Sequence, residues 1–489
     1  MKFKIILLFI TILSLEKSHA QTFLMTEKCL SAYQSFMSMK VSEGKNLLIQ
    51  ELKTNPKNIL PLVLINYEDF ISLVFNENPS EYKKRKTLKD KRLAVLEQAD
   101  KNSPFYLFSK ALLYFQWSMI QIKYNDYWDA AWDFRKAFQL FKENKKKYPS
   151  FVYNNIYIGA SETVISTIPN GYKWISNILG LKGNMKSGLT LLNSSINNKD
   201  QAFKEEAYLY TIYLKNYVEN DIEGANQIIT NYKLDTKNNQ LFCFMAANIA
   251  LNNKKAALTE LYILNRTKSN AYIPFPMLEY ELGDAKLRRL DYSAIQNFQN
   301  YLSTSKSNFY LKDACLNIAY CYYLQDNLTQ ANQYKNKIKS IGKTESDADK
   351  QAQRFAETGI FPDKDLLKAR LLNDGGYNDQ ALKILLSKKI DSYKKENEKL
   401  EYIYRLARTY DDLNQDEKAL EYYKLTIDMG SHSPEYFAAR AALQAGYIFE
   451  KKGQKNDALI YFNKVLDMDD HAFKNSLDQR AKSGINRVK

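Results

Sequence analysis

The chain has 489 residues, 45% apolar content, only 16 Gly and 10 Pro, and a formal charge of +15. That length excludes one compact core and points to several domains or a repeat array. The scarcity of helix breakers favours long helical runs, and four Cys over such a length exclude a disulfide scaffold.

Lys2 and Lys4 open the chain, and an eleven-residue apolar run, Ile5 to Leu15, follows. The run is too short to span a bilayer, and Ser18-His19-Ala20 offers small residues at the two cleavage-pocket positions. This pattern predicts a signal peptide over 1–20, cut before Gln21, and an exported chain: in a bacterium, periplasmic or associated with the outer membrane. Cys29 lies eight residues beyond Gln21, too far to serve as a lipid-anchor cysteine. Without Lys2, Lys4, Lys17 and Glu16, 67 basic residues face 54 acidic ones, a charge of +13. Much of the basicity follows from a composition rich in Lys, Asn, Ile, Tyr and Phe, all read from AT-rich codons. Export and the lack of an aromatic–basic recognition motif argue against a nucleic-acid partner.

Residues 21–184 read as an irregular helical-repeat region. "SEGKNLLIQELKTNPKN" (42–58) has the pattern of a second helix, with Gly44 and Leu48 on one stripe and Pro56 as its stop. Pro79 and Pro104 sit where helices start. The basic run "YKKRKTLKDKR" (82–92) reads as a solvated helix face. "FYLFSKALLYFQWSMIQIK" (105–123) contains Lys110, Gln116 and Gln121, so it reads as a buried first helix rather than a membrane span. "NDYWDAAWDFRKAFQLFKENKKKYP" (125–149) is its amphipathic partner, with Ala130, Phe134 and Ala137 aligned. "IPNGYKWISNILGLKGNMKSGLTLL" (168–192) breaks the periodicity. Its Trp174, Ile175, Ile178 and Leu179 have little polar cover, which suggests either a loop packed on the helices or a peripheral membrane contact.

From 185 onward a small-residue stripe recurs at i, i+4 and i+7, one face of a helix. Its copies are Gly188-Leu192-Ser195, Ala225-Ile229-Tyr232, Ala257-Leu261-Leu264, Ala294-Phe298-Tyr301, Ala419-Tyr423-Thr426 and Ala458-Phe462-Val465. Ala331 and Ala381 start poorer copies, broken by Lys335 and Lys388. The anchors mostly recur every 37 to 39 residues, one helix-turn-helix per unit. Gly446 and Ala458 are expected to meet across the turn "KKGQKND", with Phe462 beside them. A fifty-residue gap after Ala331 holds an added helix, near 345–359, before the array restarts with Gly375-Gly376 as its turn. Phe473, Leu477 and Ala481 place a terminal capping helix over 472–486. The expected fold is all-α, a right-handed superhelical solenoid of stacked helix-turn-helix repeats, with the array over 185–489.

"IYRLARTYDDLNQDEKALEYYKLTI" (403–427) and "AGYIFEKKGQKNDALIYFNKVL" (445–466) resemble the tetratricopeptide repeat. Leu406, Ala407, Tyr410, Ala419 and Tyr423 occupy signature positions in the first, and Gly446, Phe449, Gly453, Ala458 and Phe462 in the second. The family's usual period of 34 is exceeded by three to five residues, assigned to longer loops such as "GSHSPEYF" (430–437). Leu179, Gly180, Leu181, Gly183, Gly188 and Leu189 are also similar to a segment of the inclusion-body-clearance family of repeat proteins. That likeness implies a shared scaffold and no activity, and the family's intracellular setting conflicts with a signal peptide. The tetratricopeptide resemblance implies a concave groove lined by the first helices. Its ligand positions fall on Tyr280, Asn317, Tyr320, Tyr323, Tyr404, Arg405, Arg408, Arg440, Gln444 and Tyr447. The Lys-Asn-Asn-Lys clamp of the chaperone-tail-binding branch is not reproduced, which weighs against capture of a C-terminal carboxylate.

No catalytic constellation is legible. His432 and His471 lie thirty-nine residues apart, one repeat, and have no further ligands at metal spacing. "IGKTE" (341–345) lacks the leading Gly of a phosphate loop, because position 337 is Lys. Cys315 and Cys321 fall on different faces of one helix and read as buried thiols. No cofactor and no metal are expected. The leading reading is therefore a non-catalytic exported scaffold that binds a protein or peptide in its groove. The alternatives are a membrane-surface assembly factor of the envelope and an enzyme without a recognisable motif.

Overall fold

The computed structural model describes residues 21–167, 180–219 and 221–489. The expected signal peptide, and Trp174, Ile175, Ile178 and Leu179, lie outside the described residues. Among the described residues the chain is all-α, with helical hairpins following one another and no strand. Two isolated bridges tie Gln21 to Ala99 and Thr22 to Asn58. No described helix is long and apolar enough to cross a membrane. The chain forms two compact units, residues 1–249 with 266–275, and residues 250–265 with 276–489. This division by compactness falls further along than the change in repeat regularity at 184–185.

In the first unit, Pro104 and Pro79 each occupy the first turn of a helix, where a missing N–H costs nothing. Ser103 and Asn78 cap those helices through hydrogen bonds from the Phe105 and Ser80 amides, at 3.2 and 3.0 Å. The Pro104–Lys123 helix is buried along most of its length. Its glutamines each find one partner inside: Gln116 Oε1 accepts from Asn66 at 2.6 Å, and Gln121 Nε2 donates to Asp133 at 2.9 Å. The core of this unit is aromatic. Tyr157 stacks on Phe141 at 4.7 Å, and Tyr33 meets Tyr67 edge-on at 5.2 Å.

Within this aromatic core lies a fully buried acid, Glu206. The hydroxyls of Tyr157 and Tyr210 donate to its carboxylate at 2.6 and 2.9 Å, and Tyr67 donates to it as well. Tyr33 accepts from the Glu206 backbone N–H at 3.1 Å. Burial pushes the Glu206 carboxyl up to about 7, against the three phenol hydrogen bonds and with added repulsion from Glu205.

In the second unit the small-residue stripe is the packing seam. Ala294, Phe298, Ala419, Tyr423, Thr426, Ala458, Phe462 and Val465 are fully buried. The tight contact in the last repeat is between Gly446 and the ring of Phe462. A Cβ on Gly446 would sit 2.5 Å from that ring, and one on Gly484 of the terminal helix 2.6 Å from it. Phe462 is therefore held between two helices that can approach only because both lack a side chain there. Gly283 faces Phe298 in the same way, with a Cβ distance of 3.1 Å.

One stripe is displaced by a residue. The buried positions of the Ala256–Asn265 helix are Ala256, Thr259, Glu260 and Ile263, and the expected Leu261 and Leu264 are 53% and 54% exposed. Arg289 pairs with Glu260 at 2.7 Å, and the helix turns its acid inward to meet that cation.

The added helix runs over Asp347–Thr358 and the terminal one over Lys474–Val488. Asp349 explains how the added helix is seated. Its buried carboxylate accepts from the backbone N–H of Tyr310, Lys312 and Asp313 at 2.7, 3.0 and 3.2 Å. It thus caps the Leu311–Leu324 helix from outside that helix.

Candidate functional site

The first helices of the second unit's hairpins are Met277–Arg288, Leu311–Leu324, Lys364–Gly375, Glu396–Asp412 and Phe437–Lys451. They carry all ten groove positions expected from the sequence, in three different settings.

Tyr280, Asn317 and Tyr323 serve the packing. Tyr280 is buried and donates to Asp313 at 2.5 Å, and Asn317 donates to the same oxygen at 2.9 Å. Burial pushes the Asp313 carboxyl up to about 7, these two hydrogen bonds oppose the rise, and Asp284 and Asp349 add repulsion. Tyr323 stacks on Phe361 at 4.5 Å and donates to the Pro362 carbonyl at 2.9 Å.

Arg408 is engaged inside the unit. It holds Asp411 at 3.0 Å and the Tyr423 hydroxyl at 3.2 Å. Beside it, the turn after residue 252 docks against the ends of two first helices. The Lys254 ammonium pairs with Asp412 and donates to Asn373 at 3.1 Å. Arg288 donates to the carbonyls of Leu251 and Asp374 at 2.9 and 3.1 Å. Gly376, at φ +85°, lies so close to the Lys254 carbonyl that a Cβ would overlap it. The chain itself therefore fills this end of the first-helix face.

Tyr320, Tyr404, Arg405, Arg440, Gln444 and Tyr447 form the third setting, together with Arg370. Arg370 lies 5.6 Å above the Tyr320 ring. No carboxylate pairs with it among the described residues, and the nearby Arg405 works against its charge. Arg405 is held by Glu401 at 2.8 Å and lies over the rings of Tyr404 and Phe437 at 5.4 and 5.9 Å. Arg440 and Gln444 are half-buried, with no side-chain hydrogen bond among the described residues. Tyr447 meets Phe462 edge-on at 5.5 Å, with Arg487 5.8 Å from its ring. Asp374 is the counter-charge. Burial raises its carboxyl, but Lys254, Arg288, Arg405 and Arg370 together hold it below the usual range. Arg370 and Arg405 thus lie over aromatic rings, and guanidinium groups are the chemistry that grips carboxylates and peptide groups in two-pronged fashion.

Sequence reasoning missed Arg370, Asp374, Lys254 and Arg288. Arg370 and Asp374 stand four apart in "KDLLKARLLNDGG", so projecting every first helix onto one face would have found that pair.

Residues 400–429 and 439–471 match the family model for the tetratricopeptide repeat. The chain carries tetratricopeptide repeats. The two matched repeats contain Arg405, Arg408, Arg440, Gln444 and Tyr447. No curated protein sequence matches the chain significantly. Among solved structures, the chain is similar to the apo form of the quorum sensor NprR from B. thuringiensis. The identity is 15%, over 82% of this chain and 97% of that one, with a TM-score of 0.29. The Cut9-Hcn1 hetero-tetramer of the APC/C matches at 11% identity over 98% of each chain, with a TM-score of 0.27. The Naa15/Naa10 complex bound to HypK-THB matches at 13% over 95% of this chain and 65% of that one, also at 0.27.

The remaining candidates carry little chemistry. His432 Nδ1 lies 2.8 Å from Asp469 Oδ2 at the surface, whereas His471 is buried and its Nδ1 lies 2.9 Å from the Ala472 carbonyl. Among the described residues no cluster of His, Cys, Asp and Glu has the arrangement of a metal site. All four cysteines are buried and free, and burial pushes Cys315 and Cys321 up to about 11 and about 12.

Proposed function

We propose that this protein is a non-catalytic, exported scaffold that holds an extended segment of a protein partner on the first-helix face of its second unit. The observation that carries this reading is Arg370 over Tyr320 and Arg405 over Tyr404 and Phe437, with the charge of Arg440 felt at Tyr404. Arg370 lies over a ring with no carboxylate in direct contact, and Arg440 makes no side-chain hydrogen bond, among the described residues. Guanidinium groups left half-buried without carboxylates are suited to acidic side chains of a partner, since each bidentate pair adds direction as well as energy. The match to tetratricopeptide repeats supports a protein-interaction role in general. The face past Tyr320 is the open part, because the Lys254 turn covers the Arg408 end.

The test is capture of cross-linked partners from the native envelope fraction, identified by mass spectrometry. Wild type is compared with an Arg370→Ala/Arg440→Ala variant, which breaks no internal ion pair. Loss of the wild-type partners from the variant, at unchanged thermal stability, is the expected outcome. An unchanged partner list refutes the assignment of this face. Sequencing the mature N-terminus in the same fraction tests export, which requires Gln21 as the first residue.

A further inference from the structure

The first unit carries a second surface that this function does not use. Tyr127, Trp128 and Trp132 lie on the first turns of the Tyr127–Lys147 helix and are 61%, 64% and 49% exposed. Exposed tryptophan is costly in water, and two on one face four residues apart make a coherent apolar patch. We propose that this patch, with the lysines around it, is a docking face for an anionic lipid bilayer.

The argument is one of charge and placement. The basic helices Pro79–Arg85 and Leu88–Leu96 are fastened beside the start of the Tyr127–Lys147 helix. Lys86 pairs with Asp126 at 2.9 Å and Asp129 at 3.5 Å, and Lys89 pairs with Asp133 at 2.6 Å. Tyr82 stacks flat on Tyr124 at 4.2 Å and donates to Asp126. Arg85 and Arg92 neutralise Asp69 at 2.7 and 2.6 Å. Asp126, Asp129 and Asp133, at the start of the patch's own helix, are thus paired, while Lys83, Lys91 and Lys136 are exposed with no ion pair among the described residues. Residues 79–96 and 126–147 together hold thirteen Lys and Arg against six Asp and Glu. That excess is nearly half the net charge of the whole chain.

The chemistry of the patch fits a headgroup layer. Indole and phenol rings settle at the boundary between acyl chains and headgroups, and lysines on long stems reach anionic phosphates beside them. A peptide would need a groove with fixed donors, and here the cations are exposed lysines on flexible stems. Arg135, 5.6 Å from the Trp132 ring, adds a further cation beside the aromatic face.

The experiment is flotation of the full chain with vesicles of phosphatidylglycerol in phosphatidylcholine, and with phosphatidylcholine alone, over a salt series. The variants are Trp128→Ser/Trp132→Ser and Lys83→Glu/Lys91→Glu/Lys136→Glu, each checked by circular dichroism and thermal unfolding. Both leave Trp174 and the 168–192 segment intact. Wild type is expected to float with the anionic vesicles only, and less as salt rises. Each lysine near an anionic surface contributes about fivefold, so loss of the three cations alone weakens partition roughly a hundredfold, and the three new carboxylates weaken it further. The double variant should lose flotation too. No flotation of wild type, equal flotation with neutral vesicles, or flotation unchanged in the double Trp variant would each overturn the proposal. If a variant unfolds, milder Trp128→Tyr/Trp132→Tyr and Lys→Gln changes decide the matter by a graded loss.

Discussion

Replacing Glu206 by Gln should remove one identifiable component of the protein's pH dependence. A carboxyl moved from its ordinary 4.5 to about 7 means that the folded state holds a proton the unfolded state has released. Below about pH 4.5 both states are protonated and the group is silent. As pH rises through 7 the folded state must carry a buried anion, and the wild type should lose about 3 kcal/mol from this group. Three tyrosine hydroxyls soften that cost without cancelling it. The substituted amide would keep a carbonyl acceptor but misplace one hydrogen bond, a fixed offset of about 1 to 2 kcal/mol at every pH. The assay is urea unfolding of wild type and Glu206→Gln at a series of pH values from 4.5 to 8, followed by circular dichroism. The difference between the two proteins cancels Asp313 and the other groups that do not interact with Glu206. It should swing in favour of the variant by about 3 kcal/mol as pH rises. Parallel stability profiles would refute the buried-anion argument.

Two further outcomes follow from the packing of the second unit. Gly446→Val should destabilise that unit by about 1 to 3 kcal/mol, because the new methyls meet the Phe462 ring, and chemical denaturation measures it. Asp349→Ala should uncap the Leu311–Leu324 helix at a cost of about 1 to 2 kcal/mol. Faster hydrogen exchange at the amides of Lys312 and Asp313, with unchanged exchange in the Lys455–Asp467 helix, is the local signature.

The repeat seam was legible because it obeys a local rule. A small residue at one position and a ring four residues on share a helix face, so Ala294 with Phe298 and Ala458 with Phe462 stand out in the sequence. The rule failed at "KKAALTELYILN", where apolar residues surround the helix and two registers satisfy the same pattern. There the choice fell to Arg289, more than twenty residues away, which draws Glu260 inward. The groove was half legible for a related reason. Periodicity puts Tyr280 and Arg408 on the first-helix face, but it cannot tell a ligand contact from a partner within the fold. Asp313 and the Lys254 turn, supplied by other hairpins, decide that. The Glu206 cluster was invisible, since its tyrosines come from four helices spread over residues 33 to 210.

Stacks of helical repeats behave like springs, because each hairpin leans only on the next. The ion pair between Lys254 and Asp412 joins residues 158 positions apart, so part of this spring is clamped across its coils. Clamping fixes the pitch, and with it the distance from Arg370 to Arg405. A binding segment would then be chosen less by its composition than by the spacing between its negative charges, measured against a ruler that does not stretch.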